Sequence, residues 1–198
     1  LPSYKGVSFR LHFIKSLDDF YDIIEEFNNA MHPYSYGYNN ETLEYKLGEL
    51  LIKNKLTIST AESCTGGLIS KLLTDNAGSS KYFSGGITAY DNKLKTQLLG
   101  ISKNIINKNG AVCEKVAIEM AKNIRIKTKS NICISTTGIS GPEGGNKKKP
   151  IGLVYIGISS EKKTDVKKFI FNFNRDLHRK ITSNTALNMV RLMIERKI

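Results

Sequence analysis

The segment TAESCTGG, Thr60–Gly67, gathers hydroxyls, a carboxylate, a thiol and two glycines between the apolar runs KLTIS and LISKLL. That placement predicts a strand handing over to a helix. Ser63 stands just before the turn and is a candidate nucleophile. Gly66 and Gly67 allow backbone N–H groups to approach a ligand, and the next helix would aim its own unpaired N–H groups at an anion or oxyanion. The same residues also suit a capped helix start, with Ser63 or Thr65 capping and Glu62 paired to nearby donors. The segment is not a G-x-S-x-G elbow, and no histidine follows in a triad position.

Two further segments carry comparable chemistry. GSSKYFSGGITAYDNKLK, Gly78–Lys95, holds Ser79 and Ser80 after a glycine, Tyr90 at a strand end, and Lys93 and Lys95 on the next helix. A lysine taken out of water loses charge and can accept a proton from a hydroxyl, so serine with lysine or tyrosine is an alternative to a histidine triad. Positions i and i+2 point to different sides of a helix, so one of the two lysines is expected on the surface. TTGISGPEGG, Thr136–Gly145, has three hydroxyls and four glycines in ten residues and could cradle a phosphate or ribose.

These segments need a scaffold. LTISTA, GGITAY, NICISTTG and PIGLVYIGISS read as strands, and DVKKFIFNF alternates as a half-exposed one. Apolar stripes predict helices through Leu43–Leu51, through Leu68–Leu73, over DNKLKTQLLG, and over CEKVAIEMAKNIRIK, with Val116, Ala117, Met120, Ala121 and Ile124 inward. A last helix runs from about Arg175 to Arg196, with Leu177, Ile181, Ala186, Met189, Val190 and Met193 as its expected core stripe. The alternation predicts an α/β fold, a three-layer α/β/α sandwich with a mixed sheet. The three polar segments then fall at strand ends, where such sheets bind ligands.

Residues 1–41 read as a small N-terminal β-α appendage. VSFRLHFI alternates as a strand with Val7, Phe9, Leu11 and Phe13 on one face, and Ser16 with Asp19 forms a capping box before a helix with Leu17, Phe20, Ile23, Ile24, Phe27 and Met31 inward. One strand and one helix cannot bury a core, so this unit must lean on the remainder, 42–198, or on another chain. A homo-oligomer, most simply a dimer, is expected.

The bulk numbers exclude several classes. No apolar run approaches the roughly 20 residues of a membrane span, so no membrane partner is expected. Cys64, Cys113 and Cys133, and His12, His32 and His178, fit no zinc spacing, so no metal is expected, and an odd thiol count suits a reducing cytoplasm. The net charge of +12 is spread from Lys5 to Lys197 without an aromatic-studded stripe, which reads as a lysine-rich surface and not as a nucleic-acid site.

Taken in order, TAESCTGG, GSSKYFSGGITAYDNKLK, GAVCEKVAIEMA, TTGISGPEGG and KPIGLVYIGI resemble the C-terminal domain of the CinA family, the nicotinamide-nucleotide amidases, over about residues 42–196. Residues 1–41 resemble the end of the middle domain of longer CinA proteins, which implies a chain drawn from a two-activity protein. The resemblance implies hydrolysis of the carboxamide of nicotinamide mononucleotide, without a cofactor. It points to Ser63, Ser80, Tyr90, Lys95, Thr137 and Arg175; Lys93 has no counterpart in the family pattern. Thr65, Gly66, Gly67, Thr137 and Gly138 would then contact the phosphate and ribose of this small-molecule substrate, a phosphorylated pyridine nucleoside. Sequence alone leaves open whether Ser63, Ser80 or a water attacks. The alternative is a catalytically degenerate module that binds a nucleotide or associates with DNA.

Overall fold

The structure is a computed structural model and describes residues 2–12, 17–32 and 34–196. A short hairpin, β1 (Pro2–Ser3) and β2 (Gly6–Val7), leads to helix α1 (Leu17–Met31) and helix α2 (Leu43–Lys53). Then follow β3 (Ile58–Glu62), α3 (Leu68–Thr74), a single 3-10 turn at Ser79–Lys81, β4 (Phe83–Thr88), α4 (Asn92–Leu99), α5 (Lys103–Asn109) and α6 (Glu114–Thr128). The chain ends with β5 (Ile132–Gly138), β6 (Leu153–Ser160), β7 (Thr164–Ile170) and α7 (Arg175–Glu195).

The main sheet has five strands in the order β4-β3-β5-β6-β7. β4, β3 and β5 run parallel, and β6 and β7 return antiparallel. This is the expected mixed sheet between two helical layers. Side-chain alternation divides the core. Ile58, Ile132, Ile134, Val154 and Ile156 meet α2, α3 and α7 on one face, while Ala61 and Cys133 meet α6 on the other. The apolar stripe of α6 is buried as expected, with Val116, Ala117 and Met120 fully covered and Ile124 nearly so. Each such large side chain contributes about 1.5–3 kcal/mol of burial free energy.

From β3 the chain moves to β4 on one side, then crosses through α4, α5 and α6 to β5 on the other. The strand order therefore reverses between β3 and β5. In sheets of this kind such a reversal is where ligands bind, beyond the strand carboxyl ends.

One carboxylate fixes the β3–α3 junction. Glu62, wholly buried as the last residue of β3, accepts from the backbone N–H groups of Gly67 at 3.0 Å, Ile69 at 3.1 Å and Ser70 at 2.8 Å, and from the Ser70 hydroxyl at 2.7 Å. It satisfies the donors that a helix start leaves open. Gly67, the N-cap, has φ 92°, a left-handed conformation that favours glycine.

The N-terminal unit differs from expectation. Val7 belongs to a two-residue strand paired with Pro2 rather than to a longer strand, and Val7, Phe9 and Leu11 are exposed. Phe9 does pack edge-on against Phe27 of α1, with ring centroids 6.0 Å apart. Tyr21 and Ile23 remain outside. Phe13, Ser16 and the capping side chain of Asp19 lie outside the described residues. Helix α7 also differs. Its buried face includes His178, Thr182, Ser183 and Arg191, while Leu177, Ile181, Met189 and Met193 are only half-buried. Arg191 is accommodated by pairing with Glu195 at 2.6 Å and donating to the Ser35 carbonyl at 3.1 Å.

Removing the Glu62 carboxylate strands one buried amide donor, that of Ile69, and two part-buried ones, those of Gly67 and Ser70, with a cost of about 1–3 kcal/mol for a fully buried donor. Glu62→Ala is expected to destabilise the chain by about 3 kcal/mol or more and to lower Tm by roughly 10 °C, measured by thermal unfolding with circular dichroism.

Candidate active site

The carboxyl ends of β3, β4 and β5 bring most of the candidate residues to one rim. The Ala89 N–H donates to the Glu62 carbonyl at 2.8 Å, and the Ser63 N–H donates to the Thr136 carbonyl at 3.0 Å. Ser63 is thereby held between the residues that leave β4 and those that end β5. Alternation along β3 places Ser59, Ala61 and Ser63 on the α6 side, and along β5 it places Cys133, Ser135 and Thr137 there too. Ser63 is 8% exposed and Thr137 is 1% exposed.

Lys95 lies in the same place. It belongs to α4, whose N-cap Asp91 accepts from the Lys93 N–H at 2.6 Å. The side chain of Lys95 is 1% exposed and folds back so that Nζ donates to the carbonyls of Ala89 at 2.8 Å and Tyr90 at 3.0 Å. No carboxylate pairs with it within ion-pair distance among the described residues. Burial pulls its pKa below lysine's ordinary value; the fields of Cys64 and Asp91 act the other way. Lys93, by contrast, is exposed. An ammonium held without a counter-charge releases its proton readily, and a neutral amine at this position can accept one.

The neighbouring thiol is no competitor. Burial pushes Cys64 up to about 12, so it stays protonated and poorly nucleophilic.

Arg175, the first residue of α7, ties two of the loops together. Its Nη2 donates to the Tyr90 hydroxyl at 2.6 Å and its Nη1 to the Gly141 carbonyl at 3.0 Å. Asn174 caps the helix by accepting from the Leu177 N–H at 3.0 Å, which sets where Arg175 leaves the backbone. The segment between β5 and β6 is held at further points. Lys149 Nζ donates to the Asn109 carbonyl. His178 Nε2 lies 3.1 Å from the Gly152 carbonyl and donates to it as the neutral ring.

Other candidates are occupied by the protein itself. The Gly67 amide is already bonded to Glu62, so an anion arriving at the start of α3 would face a carboxylate. The expected anion cradle is thus filled from within. The Thr65 hydroxyl pairs with that of Thr136 at 2.8 Å, and the Thr137 hydroxyl donates to the Ala111 carbonyl at 2.8 Å. The Gly66 N–H donates to the Ser63 carbonyl at 3.1 Å. Gly138 continues the β5 ladder opposite Val154, and a Cβ there would lie 2.7 Å from the Leu153 carbonyl oxygen. These groups shape the rim.

Ser80 is not brought to it. The exposed 3-10 turn Ser79–Lys81 precedes β4, at the amino end of the strand. The six residues of β4 then span about 20 Å before Tyr90 is reached. Ser80 is therefore at the opposite end of β4 from Tyr90 and Lys95.

The expected pairing of Glu62 with nearby donors is what the structure shows, although Gly67 and not Ser63 or Thr65 is the N-cap; the contacts of His178 and Arg179 were not anticipated. Arg179 donates through Nε and Nη2 to the Thr65 carbonyl, at 3.2 and 2.8 Å. The available signal was its spacing of four from Arg175, which puts both on one helix face.

A three-layer α/β/α sandwich with hydroxyls, a buried lysine and an arginine at the strand-order reversal defines a class of ligand-handling α/β domains. Comparison with known proteins assigns the class more narrowly. Residues 40–194 match the family model described as CinA C-terminal domain, and the chain belongs to that family. A CinA-like protein of Endomicrobium trichonymphae is 45% identical over 165 residues, covering 83% of this chain and 39% of the relative. One from Amoebophilus asiaticus is 41% identical, covering 83% and 40% respectively. The chain thus spans about two fifths of the length of these curated relatives. Among solved structures, the competence/damage inducible protein CihA of Agrobacterium tumefaciens has a TM-score of 0.73 at 32% identity, covering 79% of this chain and 99% of that one. A CinA superfamily protein of Enterobacter cloacae has a TM-score of 0.74 at 27% identity, covering 81% and 98%.

His178 is fully buried and its Nδ1 has no hydrogen-bond partner among the described residues. Burial lowers its pKa below 6.5, with the Gly152 bond opposing and Arg175 assisting. Protonating it in the fold costs more than in the unfolded chain. Its contribution to stability is therefore full above 6.5 and is lost as pH falls below that value. The Tm of the wild type is expected to decline as pH falls below 6.5, and His178→Gln to flatten that part of the profile, as measured by scanning calorimetry.

Proposed function

We propose that the chain hydrolyses the carboxamide of nicotinamide mononucleotide to nicotinate mononucleotide and ammonia. Family membership and the Ser63–Lys95 rim support this assignment. The observation that carries it is Lys95, buried in the rim that also holds Ser63, with the carbonyl oxygens of Ala89 and Tyr90 as its hydrogen-bond partners among the described residues. A lysine placed so is suited to moving protons.

The proposed chemistry follows from that placement. Ser63 Oγ attacks the carboxamide carbon while its proton passes to the neutral Lys95 amine. The C–N bond of the tetrahedral intermediate breaks, and the Lys95 ammonium returns a proton to the leaving nitrogen, which departs as ammonia. Water then attacks the acyl-serine, again giving its proton to Lys95, and the acid leaves with Ser63 restored. Tyr90, held by Arg175, lines the entrance, and the Arg175 guanidinium offers a charge-assisted contact to the substrate phosphate. Ser63 is favoured over Ser80 because Ser80 lies at the other end of the strands. Residues 1–41 are proposed as a separate unit that plays no part in this chemistry.

Ammonia release from nicotinamide mononucleotide tests the proposal. Lys95→Met is expected to reduce kcat by about 10²- to 10⁴-fold. The wild-type kcat/KM is expected to rise with pH as Lys95 loses its proton, along a limb centred below lysine's ordinary 10.5. Mapping of a trapped acyl-peptide is expected to find Ser63. A label on Ser80, or normal turnover in Lys95→Met, overturns the mechanism.

A further inference from the structure

Arg179 makes an unusual pairing for a guanidinium. It forms no ion pair among the described residues. Instead two of its N–H groups converge on one backbone carbonyl, that of Thr65, at 3.2 and 2.8 Å, across 114 residues of sequence. Donation from a cation makes these bonds stronger than neutral ones.

The bonded carbonyl belongs to the peptide that joins Thr65 to Gly66. A peptide unit is planar, so directing its C=O toward α7 directs its N–H the opposite way. That N–H belongs to Gly66 and donates to the Ser63 carbonyl at 3.1 Å. The linkage therefore runs from Arg179 through one peptide plane to the backbone of Ser63.

The turn needs such a restraint. Gly66 has φ +62° and Gly67 has φ +92°, and glycine crosses between backbone wells more freely than other residues. Glu62 anchors the turn from Gly67 onward, but not the Thr65–Gly66 peptide, whose carbonyl otherwise accepts the long bond from the Leu68 N–H at 3.3 Å. A Cβ built on Gly66 would lie 3.2 Å from Arg179 Nη2, so the guanidinium rests directly against the turn.

We propose that Arg179 is a positioning residue: it fixes the Thr65–Gly66 peptide and, through it, the placement of Ser63, without touching substrate. The catalytic part of this proposal rests on the reading of Ser63 as nucleophile. A lysine at 179 could supply only a point charge in place of the two-pronged fork.

Two measurements on the chain test it. The first is hydrogen exchange of the Gly66 amide, read by NMR. Arg179→Met is expected to speed it on the order of tenfold, as local opening becomes easier, and Arg179→Lys by less. The second is steady-state ammonia release from nicotinamide mononucleotide. Displacing the turn by about 1 Å is expected to lower kcat by roughly 10- to 100-fold while KM changes little, with Arg179→Lys between the two. If Arg179→Met does not fold, Arg179→Lys decides both measurements. Unchanged Gly66 exchange overturns the proposal, and so does a raised KM with kcat intact, which would make Arg179 a substrate ligand. If the wild type releases no ammonia, the amidase assignment fails, while the exchange comparison still decides whether Arg179 holds the turn.

Discussion

Four hydrogen bonds to the carboxylate of Glu62 set the geometry on which the site depends. A carboxylate without exposure to water is costly unless its oxygens are satisfied. Here the helix start supplies the donors, and the carboxylate supplies what that start lacks. The arrangement ties the last residue of a central strand to the first turn of a helix. Ser63 and Cys64 must then leave the sheet in one direction, and the glycines absorb the reversal. The consequence is that the positive end of α3 serves the fold: its first amides are held by Glu62 and are not free to receive an anion.

Glu62 and Lys95 are buried charges of opposite kind on opposite faces of the same rim. Glu62 is surrounded by N–H and O–H donors. Lys95 has two carbonyl oxygens and, among the described residues, no carboxylate within ion-pair distance. The first environment supplies two donors to each carboxylate oxygen. The second leaves the ammonium short of solvation, which pulls its pKa down. In the proposed reaction Lys95 is the group that changes charge. Moving a carboxylate next to Lys95 would raise its pKa and hold its proton.

The scaffold was legible where apolar residues repeat with a clean period. The stripe of α6 and the runs of β3, β5 and β6 each give one reading. The rim was legible too, because small polar residues and glycines interrupt those runs at strand ends. Helix α5 was not. KNIINKN has only two adjacent isoleucines and no stripe, although Ser102 and Gly110 mark its ends. The α7 stripe failed for a related reason. The helix buries His178, Thr182, Ser183 and Arg191, which no apolar periodicity reveals. Ser80 is the instructive case. It shares a motif with Tyr90 and Lys95, but a strand separates them, and proximity along a sequence becomes distance across a sheet.

Helix α7 joins these threads. Its later turns, through Ala186, Leu187 and Val190, belong to the core. Its first turns reach outward to every loop of the rim: Arg175 to Tyr90 and Gly141, His178 to Gly152, Arg179 to Thr65. None of those loops has a large apolar surface of its own, so each borrows its rigidity from a helix locked into the sheet. The site can then be built on glycine-rich segments without being loose. This also explains why the long polar face of α7 carries so little apolar periodicity: its side chains were selected for the carbonyls and hydroxyls they must reach as much as for the core they help to fill.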